Sequence, residues 1–519
     1  MNMRSLAAKV FLIFLLAAGT AFSQDFHLYG FSLYDLEFLG SGARARSMGG
    51  AFVGVADDAS ALTWNPAGLI QVSRTQASVS GAVVRLKLEN DIQYAQNPGK
   101  SLLSKYTKDL LNLEAGSFVA PVRIKGHPFV AAVNYQRTQD DNDEIHATSG
   151  VPYLFTTSSG TASGTDDFES RTSTIRNIQE FSLGFGTDVY EKLSFGGSVN
   201  IYFGGGTSEF RSAFADTAPL IFGDQAVDTV QTRYVSSVRD QQSNGGINLT
   251  GSLMYRTEKV RVGVTLRTPF EMVTDHDIKR ADTLYIKSVR IPGPGNPTGG
   301  RPTLYLGKTK IEVPLTLGLG AAVQVTPAFL VSGDVEIRST GSNKYFVRTE
   351  EAPATSADSI NLFTLPGSIY YVDSTETSYY DASGDLIEIF NEFELGYESS
   401  MQIRLGAEYM LATSIGTIPL RGGLRFTQLP YTDVSGVERD VLQQVKSGYA
   451  LGDKISQTCF SFGSGIHWNQ VWLDFGVELK KVEQTESGKS TFDDFVSYDY
   501  SNLRKKTSPS FTASFTGFF

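Results

Sequence analysis

The chain has one cysteine, Cys459. A lone thiol builds no intramolecular disulfide framework and no cysteine-cluster zinc site. Charge is also scarce. Asp, Glu, Lys and Arg make up 19% of the residues, below the ~25% usual in soluble domains. The 45 basic residues are outnumbered by 55 acidic ones, for a net charge of −10. Without a basic block, nucleic acid is not an expected partner. The five histidines (His27, His127, His146, His276 and His467) are scattered, and neither HExxH nor a GxSxG elbow occurs. No metal site, cofactor or enzymatic activity is therefore expected. Past the first 23 residues there is no run of ~18 apolar residues, the length a membrane helix needs. What the chain has in plenty is glycine, 51 of 519 residues, and aromatic side chains, with 34 Phe and 23 Tyr. That many aromatics excludes a disordered chain.

Residues 1–23 read as a secretory signal peptide. Arg4 and Lys9 give a positive start, Val10 to Ala18 is an apolar core, and Ala21-Phe22-Ser23 is a small-x-small cleavage site. The apolar run is shorter than a spanning helix. No cysteine follows the cleavage site, so no lipid anchor is expected.

The remainder alternates with a period of two, which marks strands with one apolar face. Leu193, Phe195, Val199, Ile201 and Phe203 share a face, opposite Ser194, Ser198, Asn200 and Tyr202. Val471, Leu473, Phe475, Val477 and Leu479 oppose Asp474, Glu478 and Lys480. Ile403, Leu405, Ala407 and Tyr409 oppose Arg404, Gly406 and Glu408. The charged face is expected to be wet. About fourteen such runs occur, many longer than the ~9–11 residues that cross a bilayer.

Their connections sort into two classes. Gly126-His127-Pro128, Tyr190-Glu191-Lys192, Thr257-Glu258, Thr326-Pro327, Ala412 to Gly416, and Asn469 are short. Between them lie long polar stretches: 91–111, 141–173, 213–231, 281–303, 349–390, 430–455 and 487–504. Short turns at one end and long loops at the other describe an all-β, up-and-down antiparallel transmembrane β-barrel of about 14 strands. Closure removes edge strands that hydrocarbon does not tolerate. The expected location is the bacterial outer membrane, with lipid around the wall and both chain ends toward the periplasm. Phe511, Ala513, Phe515, Gly517 and Phe519 share one face at the C-terminus. A terminal aromatic such as Phe519 resembles the signal read by outer-membrane assembly machinery.

Residues 24–72 lack this alternation, and the barrel is assigned to 73–519. Small residues dominate Gly40 to Leu69. Asp58 or Ser60 is placed to cap a helical turn, and Pro66 after Asn65 to begin another. A fourteen-strand lumen is too wide for wall side chains to fill, so this segment is expected inside it. The stretch ARSMGGAFVGVADDASALTWNPAGL resembles the N-terminal hatch of FadL/TodX-like outer-membrane transport proteins, which related PorV-type secretion barrels share. The matching positions are Gly49, Gly50 and Ala51, then Ala56, Asp57, Asp58 and Ala59, then Asn65, Pro66, Ala67 and Gly68. The resemblance implies a channel that passes hydrophobic small molecules, such as long-chain fatty acids or aromatic hydrocarbons. It also implies a pocket beside the hatch and release sideways through a gap in the wall. Met48, Phe52, Leu62 and Trp64 are the hatch's bulky apolar groups and the candidate pocket residues. A PorV-like role in protein secretion or surface attachment is the alternative.

Three further features have two readings each. Leu102, Leu103, Tyr106, Leu110 and Leu111 fall at helical spacing, as do Val441, Leu442 and Val445: small loop cores, or capture surfaces for an apolar ligand. Pro121, Pro269 and Pro314 each remove a ladder donor, marking a bulge or a weak point in the wall. Asp140 to Glu144 and Asp275-His276-Asp277 lack the spacing of a calcium loop and read as solvated acidic loops.

Overall fold

A computed structural model describes residues 39–94, 101–157, 160–222, 225–288, 298–299, 303–339, 344–351, 379–380, 386–387, 391–394, 399–439, 450–493 and 496–519. The signal segment, residues 24–38 and Val441–Val445 lie outside them. Two helical turns come first, α1 (Ala43–Ser47) and α2 (Ala61–Trp64), followed by a 3₁₀ turn over Pro66–Gln71.

Fourteen wall strands follow. They are β1 (Gln76–Tyr94), β2 (Ser101–Ile124), β3 (His127–Thr157), β4 (Gly160–Tyr190), β5 (Leu193–Phe222) and β6 (Gln225–Arg256). The next four are each in two pieces: β7 (Val260–Arg267 and Phe270–Ser288), β8 (Thr303–Val313 and Thr316–Thr326), β9 (Phe329–Arg338 and Lys344–Glu351) and β10 (Asn391–Glu394 and Ser400–Thr413). The last are β11 (Gly416–Arg439), β12 (Ala450–His467), β13 (Val471–Asp493) and β14 (Val496–Phe518). Consecutive strands pair antiparallel, and β14 returns to β1 with Phe518 opposite Gln76. The ladder is therefore a closed ring.

Tight turns join the strands at one end, and Gln76 and Phe518 lie at that end as well. The other end is taller than the alternation implied. The stretches 141–173 and 213–231, expected as loops, continue the ladder to Thr157↔Gly160 and Phe222↔Gln225. A strand of 31 residues such as β3 is about 100 Å long. Tilted by about 40° it rises about 80 Å, against an apolar band about 25 Å tall. The ladder itself supplies the backbone partners that a loop would take from water. For the same reason Leu102–Leu111 is not helical but part of β2, paired with β1. Neighbouring strands fix the backbone and override helical spacing.

The prolines behave differently from one another. Pro121 stays in register opposite Val130. Pro269 and Pro314 each split a strand, and the splits are side by side. The outer ladder of β7 and β8 ends at Phe270↔Val313 and the inner one resumes at Arg267↔Thr316. Two seams also open in the upper wall. Pairing of β2 with β3 stops at Ala115↔Gln136, and that of β10 with β11 at Met401↔Gln428. Beyond those points the described residues form two leaves, β11 to β2 and β3 to β10.

Phe195, Leu405, Phe475 and Phe515 point outward and are exposed, as hydrocarbon contact requires. The opposite face is not wet as expected. Ser194, Asn200, Glu408 and Asp474 are all buried, because residues 39–72 and facing wall side chains pack against them. Chemical labelling of intact cells should reach the 141–173 hairpin and leave Tyr190–Lys192 unmodified. The reverse pattern would invert the topology.

Candidate functional site

Residues 39–72 bond to the inner wall on opposite sides of the ring. The Ala43 amide donates to Ser514 Oγ on β14 at 2.8 Å. The Ala67 amide donates to Ser252 Oγ on β6 at 2.8 Å. On β9, Asp334 Oδ2 accepts from the Phe52 and Val53 amides at 2.7 and 2.9 Å, while Ser332 Oγ donates to the Ala51 carbonyl. All these wall groups lie in the short-turn half of their strands.

Backbone meets backbone because glycines face inward where the segment passes. A methyl group on Gly423 would overlap the Gly49 nitrogen, one on Gly406 the Met48 carbonyl, and one on Gly196 the Pro66 carbonyl. Gly263 would place it 2.5 Å from Asn65 Nδ2. Gly49 and Gly50 have φ of 67° and 78°, a left-handed backbone that suits glycine. Gly49 is also wedged against the Leu405 carbonyl and the Leu424 backbone.

The other motif residues hold the segment's own shape. Asn65, fully buried, accepts from the Ala67 amide at 3.1 Å and donates to the Val53 carbonyl at 2.9 Å. It thus caps the 3₁₀ turn that Pro66 opens. Asp58 Oδ1 accepts from the Ser60 amide and hydroxyl at 2.9 and 2.6 Å, so Asp58 is the residue that bonds the turn before α2, and the Ser60 side chain makes no cap. Gly68 leaves room for the Ala56 carbonyl.

Charge is concentrated at α1. Arg44 forks onto Glu408 of β10 at 2.9 and 2.8 Å, and reaches Asp57 at 2.6 Å and Asp58 at 3.1 Å. Arg421 of β11 bonds the same Glu408 at 2.7 Å and Asp474 of β13 at 2.6 Å, and Asp474 meets His467 of β12 at 2.9 Å. Arg46 bonds Glu114 and Glu478, and Arg425 shares Glu478. Arg261 of β7 closes on Asp57 at 3.0 Å. Burial by itself would raise the Asp57 carboxyl, but the Arg44 and Arg261 guanidiniums outweigh it and hold it below the usual carboxylate range.

Met48, Phe52, Leu62 and Trp64 are brought together in one buried cluster with Leu39, Val55 and Leu69. Phe52 and Trp64 meet edge to face at 6.0 Å, the Arg404 guanidinium lies 5.7 Å from the Trp64 ring, and Trp64 Nε1 donates to the Ser41 carbonyl at 3.0 Å. Farther from the short turns the inner wall changes character. Leu429, Ile455 and Val482 form an apolar patch across β11, β12 and β13. Phe270 and Met272 on β7 and Val313 and Ile311 on β8 pair directly and are buried. The alternation contained the positions of Arg404, Glu408, Asp474 and Glu478, but not that they meet Arg44 and Arg46. Asp140 to Glu144 belongs to the tall β3–β4 hairpin, and His276 Nδ1 lies 2.9 Å from Asp240.

The family model described as outer membrane protein transport protein (OMPP1/FadL/TodX) matches residues 21–436. Among solved structures, the chain is similar to a Pseudomonas aeruginosa FadL homologue, with 10% identity, 92% of this chain and 98% of that chain covered, and a TM-score of 0.49. It is similar to the P. putida toluene transporter TodX, with 14% identity, 93% and 99% covered, and a TM-score of 0.48. It is also similar to the CymD monoaromatic hydrocarbon channel, with 14% identity, 94% and 99% covered, and a TM-score of 0.47. No curated protein matches the chain.

Two tests follow from the contacts. Glu408→Gln leaves Arg44 and Arg421 facing a neutral group, and breaking a buried pair costs about 3–5 kcal/mol, read as earlier unfolding in denaturant. Asp57 has a depressed folded pKa, so its contribution is complete above the ordinary carboxylate value of about 4 and is lost as the pH falls through the lower folded value. The stability gap between wild type and Asp57→Asn should be widest near neutrality and vanish in acid. A gap that grew on acidification would contradict the assignment.

Proposed function

The chain belongs to the OMPP1/FadL/TodX family of outer membrane transport proteins and lies in the bacterial outer membrane, and from that premise we propose that it is a channel for passive uptake of hydrophobic small molecules, long-chain fatty acids or aromatic hydrocarbons. Residues 39–72 act as the hatch that keeps the lumen from being an open water pore. The observation that carries this reading is the layering of the lumen. The short-turn half is closed by backbone contacts and buried ion pairs. The half beyond it holds buried apolar side chains on the inner wall, Leu429, Ile455 and Val482 in one group and Phe270, Met272 and Ile311 in another. An alkyl or aryl group moved from water onto such a surface gains ~0.8 kcal/mol per methylene. To the floor of this pocket we assign Met48, Phe52, Leu62 and Trp64, which are buried together in the hatch.

The wall supplies two routes out that avoid the hatch. One is the paired break at Pro269 and Pro314, where neighbouring strands both lose a ladder donor. The other is the seam above Ala115 and Gln136, where β2 and β3 part. Leu111 and Leu113 beside that seam are 81% and 58% exposed, which gives a departing apolar solute a surface to follow.

Titration with fluorescent fatty acids and competition by aromatic hydrocarbons tests the proposal. Affinity should be micromolar or better and climb with chain length until the pocket is full, while sugars and amino acids of similar mass do not compete. Leu429→Gln and Trp64→Ala should each weaken binding by about tenfold, equivalent to ~1.4 kcal/mol. Flat titrations across acyl, aryl and terpenoid ligands would overturn the reading. Deleting residues 25–70 should raise conductance in planar bilayers, and an unchanged small conductance would remove the hatch from the mechanism.

A further inference from the structure

The break at Pro269 and Pro314 is satisfied from both of its edges. The ladder of β7 and β8 stops at Phe270↔Val313 and resumes at Arg267↔Thr316, so about 10 Å of each strand faces the other without a ladder bond. The backbone groups along that stretch are bonded away from it. On the β7 side, the Thr268 amide donates to the Leu249 carbonyl of β6 at 2.9 Å, and Thr268 Oγ1 accepts from the Leu249 amide at 3.0 Å. On the β8 side, the Leu315 carbonyl accepts from the Ser339 amide, just past the lower piece of β9, at 3.2 Å. Pro269 and Pro314 have no N–H to give. These groups need no partner across the break, so the wall can stand open there without orphaning them.

Phe270 stands at the lumen side of the break. Its ring is buried and stacks on Tyr202 of β5, with centroids 4.7 Å apart and planes 13° apart, within the separation favoured for aromatic pairs. To reach Tyr202 the ring must lie across β6. It does so over Gly246, which the register sets opposite Tyr202. A methyl group on Gly246 would come within 2.9 and 3.0 Å of Phe270 Cε2 and Cδ2. Tyr202 is itself held in place. Asn248 Nδ2 donates to its hydroxyl at 3.5 Å, and Asn248 Oδ1 accepts from Asn200 Nδ2 at 2.8 Å. The Phe270 ring therefore rests on the β6 side of β7, while the break is on the β8 side.

We propose that Phe270 is the leaf of a gate in the wall that controls how fast a hydrophobic solute leaves through this break. Seated over Gly246 and against Tyr202, the ring leaves the break clear. Turned to another staggered position about its Cα–Cβ bond, it swings toward Val313 and covers the break. Gly246 makes the seat by having no side chain, and Tyr202 holds the ring on it. A side chain at position 246 evicts the ring from the seat and so closes the gate. The proposal rests on the reading of the lumen as a route for hydrophobic solutes, and adds the residues that set one way out of it.

The test has two independent readouts on the full-length protein. The first is the initial rate of uptake of a fluorescent fatty acid, at saturating concentration, by cells that carry each variant as their only copy. Gly246→Leu should slow uptake at least fivefold. The same substitution made in a Phe270→Ala background should change the rate of that background by less than twofold, because no leaf remains to displace. Equal slowing in both backgrounds would make Gly246→Leu a packing defect and overturn the gate, and so would no slowing in either. The second readout needs no transport. With 4-fluorophenylalanine at position 270, the fluorine resonance should be displaced by the Tyr202 ring current, and Gly246→Leu and Tyr202→Leu should both remove that displacement. A resonance that neither substitution moves would overturn the seat. Wild type that takes up no fatty acid would contradict the channel reading instead, while the resonance still decides the gate. Heat-modified gel mobility shows that each variant is a closed barrel.

Discussion

Hydrocarbon offers a backbone amide no partner, and the rest of this structure depends on that constraint. Every strand that crosses the membrane must find both neighbours, so the sheet must close. The pairing of Phe518 with Gln76 completes the ring. Fourteen strands then fix a radius larger than wall side chains can fill. The space left over is what residues 39–72 occupy, and inward glycines such as Gly196, Gly406 and Gly423 let them approach the wall backbone. The seams above Ala115 and Met401 lie only in the upper half of the wall, on the long-strand side of the hatch.

Buried charge plays a second part. Arg44 and Arg46 on a five-residue helix are met by Glu408, Glu114 and Glu478 from three wall strands. Such pairs add little net stability over an apolar core, because desolvation offsets most of the attraction. They are instead specific: an arginine fork fits one carboxylate in one orientation. A segment made mainly of Gly and Ala has few side chains with which to define its seat. The ion pairs define it.

Much of the fold is legible in the sequence. The alternation around Phe195, Leu405 and Phe475, the sorting of short turns, and the break in pattern before residue 73 all correspond to observed elements. Three readings were not recoverable. Leu102–Leu111 carries helical spacing and is strand, since β1 holds its backbone. The stretches 141–173 and 213–231 are polar and carry the signature of loops, because polarity reports exposure and a hairpin above the membrane is exposed on both faces. The charged strand faces carry the signature of a wet surface and are buried, because alternation distinguishes two faces without saying what either one touches.

The motif shows the division most clearly. The local chemistry of Asn65-Pro66 and Asp58-Ala59-Ser60 follows from side chains reaching their own neighbours in sequence, so these residues alone determine the capped turns. That Gly49 sits between β10 and β11 and that Arg44 meets Glu408 are decided by strand register across hundreds of residues. The sequence by itself determined the period, the faces, the turns and the class of fold, because each depends on interactions within a few residues. Only the tertiary structure decided which distant residues share a row or a seat, because ring closure and shear couple every strand's register to all the others.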